Sequence, residues 1–136
     1  MFQGATSFNQ DLSSFDISHI TDMSDLFRGA TLFNQDITGW DVSRVTNMDN
    51  MFEGAPFFNQ PIGLWGNKMS NVIRISNMFT NASSFNQDLG AWNMGNGVNA
   101  DGLFCGSAID CENYSASLVG WAAKTFTLHG HFYPGE

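Results

Sequence analysis

One tripeptide limits what this chain can fold into. Phe-Asn-Gln recurs at Phe8-Asn9-Gln10, Phe33-Asn34-Gln35, Phe58-Asn59-Gln60 and Phe85-Asn86-Gln87, at steps of 25, 25 and 27 residues. A second phenylalanine keeps the same beat at Phe2, Phe27, Phe52, Phe79 and Phe104. The longer step reflects two extra residues near Asn67 and Lys68. One copy is too short to bury its own apolar face, so the copies must stack.

Each copy divides into two halves. In the second copy Ile37, Trp40, Val42 and Val45 follow the apolar spacing of a leucine-rich repeat, as do Leu12, Phe15, Ile17 and Ile20 in the first. The step from Trp40 to Val42 suits a short strand. Met23, Leu26, Phe27 and Ala30 then fall on one face of a helix, and Met48, Met51, Phe52 and Ala55 repeat the pattern. Thr21 and Thr46 stand at N-cap positions. Gly4, Gly29, Gly54, Asn81 and Gly106 share the slot where a left-handed residue would close that helix. The expected fold is therefore an α/β solenoid, a leucine-rich-repeat-like right-handed coil stack. It has one short parallel strand and one short helix per repeat, and a C-terminal helical cap.

The repeats are expected to occupy residues 1–109. Tyr114, Leu118, Trp121 and Ala122 form an amphipathic pattern, so residues 110–136 are read as a capping unit. The tail from His129 to Pro134 adds one strand-like stretch. Asn9, Asn34, Asn59 and Asn86 are read as a structural ladder, because an amide both donates and accepts toward neighbouring backbone. The start at Met1 has neither a basic nor an apolar leader region, and the array opens inside a repeat. The chain is accordingly read as cytosolic or as a fragment of a longer exported protein. No apolar run is long enough to span a bilayer.

Composition narrows the partners. Acidic residues outnumber basic ones 13 to 5, for a net charge of -8. That balance disfavours general nucleic-acid binding and anionic lipid. Cys105 and Cys111 sit six apart, and either a local disulfide or two thiols fits that spacing.

The second copy, from Phe33 to Ala55, reads Phe-Asn-Gln-Asp-Ile-x-x-Trp-Asp-Val-Ser-x-Val-Thr-x-Met-x-x-Met-Phe-x-Gly-Ala. It resembles the bacterial surface-protein repeat of the DUF285 family, grouped with BspA-like leucine-rich repeats. The third copy departs from it at Pro61 and Gly66, and the fourth at Met94-Gly95-Asn96-Gly97. The resemblance implies an exported or lipoprotein setting at the cell surface. It also implies adhesion to host or neighbouring-cell proteins or glycans, with further repeats or domains in the parent chain. It implies no catalytic residues and no cofactor.

Positions that vary between copies are the candidate recognition residues. The first such column is His19, Arg44, Asn71 and Asn96; a second is Ser14, Gly39, Leu64 and Ala91. Asp11, Asp36 and Asp88, with Asp16 and Asp41 nearby, form an acidic column whose repulsion a calcium ion would relieve. His129 and His131 with Cys105 and Cys111 are a weaker zinc candidate, at a spacing that fits no standard motif. No nucleophile elbow or phosphate loop is present, so the expected function is a non-catalytic interaction module. The alternatives are a structural spacer and a carbohydrate-binding module. The latter would use Trp40, Trp65 and Trp92, although their fixed slot between aliphatics reads as core. An ice-binding face is a weaker alternative, since Ile73 and Val98 interrupt the Thr21–Thr46 column.

Overall fold

The computed structural model describes residues 1–131. It overturns the α/β solenoid read from the sequence. Among the described residues there is a 3-10 helix at Ile62–Met69 and an α-helix, α1, at Cys111–Ala122. The two strands, β1 (Val98–Asn99) and β2 (Leu128–His129), have two residues each and pair in parallel. The first two repeats hold neither helix nor strand and are built from tight turns.

The expected helix fails for a conformational reason. Asp25, Asn50, Asn77 and Gly102 occupy one slot and all have positive φ, between 54° and 66°. The slot four residues on, at Gly29, Gly54, Asn81 and Gly106, is left-handed as well, at 58–68°. Left-handed residues at that interval break the i−4 bonding of an α-helix. Alternate N–H groups point instead at the next repeat. Asp25, Phe27 and Gly29 donate to the Asp49, Met51 and Glu53 carbonyls at 3.0, 2.9 and 2.8 Å. Asn50, Phe52 and Gly54 repeat this to Ser76, Met78 and Thr80. The N–H groups between them close i−3 turns, as Leu26 does on Met23 and Arg28 on Asp25.

The expected strand fails through turn chemistry. Asp36 and Asp41 each accept from the N–H two residues on, at Thr38 (2.9 Å) and Ser43 (3.2 Å). Asp11 and Asp16 do the same with Ser13 and Ser18. These Asx turns fold the chain at the Asp-x-Ser/Thr steps, where a strand would have to run straight. Extended pairing survives as single parallel bridges linking Asp22, Asn47, Arg74 and Asn99 in turn.

The core runs between these turns. Phe27, Phe52, Phe79 and Phe104 stack face to face at 5.6–6.1 Å, and Phe33, Phe58 and Phe85 form a second column at 6.0–6.2 Å. Within a repeat the two phenylalanines lie 3.8 Å apart. Stacked pairs add about 0.5–1.5 kcal/mol each beyond area burial. The two residues inserted in the third copy are absorbed by the 3-10 helix, whose kink at Gly66 has φ 43°. Trp65 thereby keeps its place in the tryptophan column.

α1 closes the far end. Its N-cap Asp110 accepts from the Asn113 N–H at 2.8 Å. Trp121 stacks on Phe104 with the planes 4° apart. Gly120 lies so close to Gly90 that a Cβ there would sit 2.4 Å from the Gly90 backbone, so this contact requires glycine. β2 lies against β1 and carries the repeat-to-repeat bonding onward, with Ala100 donating to His129 at 2.7 Å. Residues 132–134 of the proposed tail strand lie outside the described residues.

Candidate functional site

The invariant polar side chains hold the repeats together by bonding from one copy to the next. The Asn34, Asn59 and Asn86 N–H groups donate to the Oδ1 of Asn9, Asn34 and Asn59, each at 2.9 Å. Each of these Oδ1 atoms also accepts from a glutamine amide of the next repeat: Gln35, Gln60 or Gln87, at 2.9–3.0 Å. The cap continues both rows. Asp110 donates its N–H to Asn86 Oδ1 at 3.0 Å, and Asn113 Nδ2 takes the glutamine's place at 3.0 Å. The glutamine row escaped sequence reading, although its fixed place beside the asparagine was the available signal.

Trp40, Trp65 and Trp92 are at most 3% exposed. Their indole N–H groups donate to the Leu12, Ile37 and Ile62 carbonyls at 3.1, 3.2 and 2.8 Å. Trp121 extends the row to Leu89 at 2.9 Å. Buried and bonded in this way, the three tryptophans offer no face to a sugar ring.

The acidic column is exposed, and each member is committed to a turn. Asp88 accepts from Gly90 at 2.7 Å, matching Asp11 and Asp36. Hydrogen bonds from Ser13, Ser18, Ser24, Thr38 and Ser43 hold the Asp11, Asp16, Asp22, Asp36 and Asp41 carboxyls below their ordinary value. The Asn113 backbone N–H lowers Asp110 likewise. Among the described residues no three His, Cys, Asp or Glu side chains gather as a metal site, for calcium or for the His129, His131, Cys105 and Cys111 set. Cys105 and Cys111 form no disulfide.

The variable column behaves differently from one copy to the next. All four members are exposed. Asn71 Nδ2 donates to the Ser43 carbonyl at 2.7 Å, and Asn96 Oδ1 accepts from the Thr127 hydroxyl at 3.0 Å. His19 and Arg44 project from the same slot. The second column, Ser14, Gly39, Leu64 and Ala91, is also exposed, and Leu64 reaches 71%.

A third variable strip, which the sequence reading missed, carries the ion pairs. Arg28 bridges Asp25 at 3.4 Å and Glu53 of the next repeat at 3.1 Å. Arg74 Nε donates to the nearly buried Asp49 at 2.6 Å. These pairs join particular neighbours, so they distinguish one repeat from another within a uniform frame.

Turn-built repeats joined by backbone and amide rows define a repeat protein with a constant frame and a variable surface. The chain belongs to the DUF285 family, described as a Mycoplasma protein of unknown function, whose model matches residues 1–121. No curated protein and no solved structure matches it.

Proposed function

We propose that the chain is a non-catalytic interaction module, adhesin-like in the manner associated with BspA-like surface proteins, acting at the cell surface or outside the cell. It binds protein or glycan partners through its repetitive surface. The observation that carries this reading is the division of labour within each repeat. Constant polar residues are consumed by the inter-repeat rows, whereas His19 and Arg44 stand exposed on that frame with their side chains available to a partner. A frame fixed in this way holds variable side chains at regular intervals, and affinity then grows with the number of repeats engaged. The test is a binding screen of the chain, in single and multivalent form, against matrix proteins and a glycan array. A saturable hit that His19→Ala or Arg44→Ala weakens, with the fold retained, is the expected result. Absence of binding by either form rejects the reading in favour of a structural spacer.

A further inference from the structure

We infer that a groove between the third repeat, the fourth repeat and α1 is a docking site for an arginine side chain carried by a partner protein. The groove has a volume of about 290 Å³. Its lining comes from two complete repeats and the helix that follows them, so no missing neighbour in the stack accounts for it. Its position follows from where the third copy leaves the common pattern. Pro61 stands in the slot that Asp11, Asp36 and Asp88 hold in the other copies, and Leu64 is the one large residue in the column Ser14, Gly39, Leu64 and Ala91. Leu64 is 71% exposed and forms an apolar wall with Pro61 and Ala91. Gly63 brings the 3-10 helix so close to the fourth repeat that a Cβ there would collide with the Asp88 carbonyl.

The polar lining selects the charge and shape of the occupant. Gln87 Nε2 is committed to the Asn59 carbonyl and Oδ1 at 3.2 and 2.9 Å, and Asn113 Nδ2 to the Asn86 carbonyl and Oδ1 at 3.2 and 3.0 Å. Asp88 Oδ1 takes the Gly90 N–H at 2.7 Å. Gln87 Oε1, Asn113 Oδ1 and Asp88 Oδ2 accept nothing among the described residues. The lining side chains therefore offer acceptors and one negative charge, and no lysine, arginine or histidine is among them. A sugar hydroxyl both donates and accepts, and it would find no free side-chain donor here. A guanidinium only donates, and its planar head reaches several oxygens at once. Its methylene stem would lie on Leu64 and Pro61. The net charge of -8 draws basic partners in the same sense. The inference rests on the interaction-module reading and names a partner chemistry for it, at residues other than His19 and Arg44.

The experiment follows the NMR spectrum of the isotope-labelled full chain during titration with the peptide acetyl-Gly-Arg-Gly-amide and with its neutral citrulline counterpart. Saturable shifts are expected at Leu64, Asp88, Ala91 and the Gln87 and Asn113 side-chain amides, from the arginine peptide alone. Asp88→Asn keeps the Oδ1 that holds the Gly90 turn and removes the charge; it is expected to weaken binding about fivefold or more. Leu64→Ser, at an exposed position and so compatible with folding, is expected to weaken it about twofold. His19→Ala and Arg44→Ala are expected to leave it unchanged. Shifts spread evenly over Asp11, Asp16, Asp36 and Asp41, or binding that Asp88→Asn leaves intact, overturn the inference in favour of diffuse charge attraction. Groove shifts produced by N-acetylglucosamine and not by the arginine peptide overturn the assigned occupant in favour of a glycan. Absence of any shift overturns this inference alone, because the matrix and glycan screen reads the His19 and Arg44 surface separately.

Discussion

Asn59 makes the sharpest single test of the amide rows. Its Oδ1 accepts both the Asn86 N–H and the Gln87 amide, each at 2.9 Å, in a half-buried setting between two complete repeats. Asn59→Ala removes the one oxygen that takes both bonds; the Asn86 N–H is left without a partner where water reaches poorly, while the Gln87 amide keeps the Asn59 carbonyl at 3.2 Å. Two lost net bonds and the partial desolvation of a backbone N–H sum to about 2–3 kcal/mol. For a chain of this size that corresponds to about 7–10 °C in Tm. Asn9→Ala deletes the same two bonds at the exposed end of the row, to Asn34 and Gln35, where water replaces them. Its expected cost is about 1 kcal/mol or less. Asn59→Asp keeps the acceptor and should recover most of the loss. Calorimetry or urea unfolding of the three variants reads these differences. Equal costs at Asn9 and Asn59, or an Asp variant as weak as the Ala variant, would refute the reasoning.

Further outcomes follow from the same geometry. Iodide or acrylamide should quench the folded chain's tryptophan fluorescence weakly, because Trp40, Trp65, Trp92 and Trp121 are at most 4% exposed; strong quenching would contradict their placement. Gly120→Ala should cost about 1–3 kcal/mol by forcing α1 off Gly90, read as faster amide exchange in α1 with little change in residues 20–60. Arg74→Ala should destabilise more than Arg28→Ala, since it leaves the nearly buried Asp49 carboxylate with the Ser76 N–H but no cation, while Arg28 is exposed and its partners are partly exposed. The turn aspartates have folded pKa values below their unfolded ones, so their stabilisation is complete above the unfolded value and is lost as pH falls through the folded one. Tm should hold from neutral pH down to about 5 and fall below about 4, and Asp36→Asn should reduce that acid-side slope.

The sequence made some features visible and hid others for physical reasons. The period and the apolar columns were legible, because burial selects residue type at every copy. Phe27, Phe52, Phe79 and Trp65 all lie where that beat puts them, at 0–1% exposure. Backbone conformation was misread. Met23, Leu26, Phe27 and Ala30 have helical spacing, but the same spacing suits consecutive turns whose every second peptide faces a neighbour. The discriminating signal was the column Asp25, Asn50, Asn77 and Gly102, which contains only residue types that tolerate a left-handed backbone. The period-2 step from Trp40 to Val42 suggests a strand, but the Asp-x-Ser/Thr steps around it fold the chain through Asx turns at Asp36 and Asp41. The glutamine row and the Arg28 and Arg74 pairs needed three-dimensional proximity of residues 25 or 26 apart, which local pattern does not contain.

The account rests on peptide groups bonding between repeats, and through-hydrogen-bond NMR couplings observe that directly. The Phe27 N–H should couple to the carbonyl of Met51, and the Phe52 N–H to that of Met78. Coupling of Phe27 to Met23 and of Phe52 to Met48, the i−4 partners of an α-helix, would contradict the turn-built stack and restore the helix that the sequence spacing suggests.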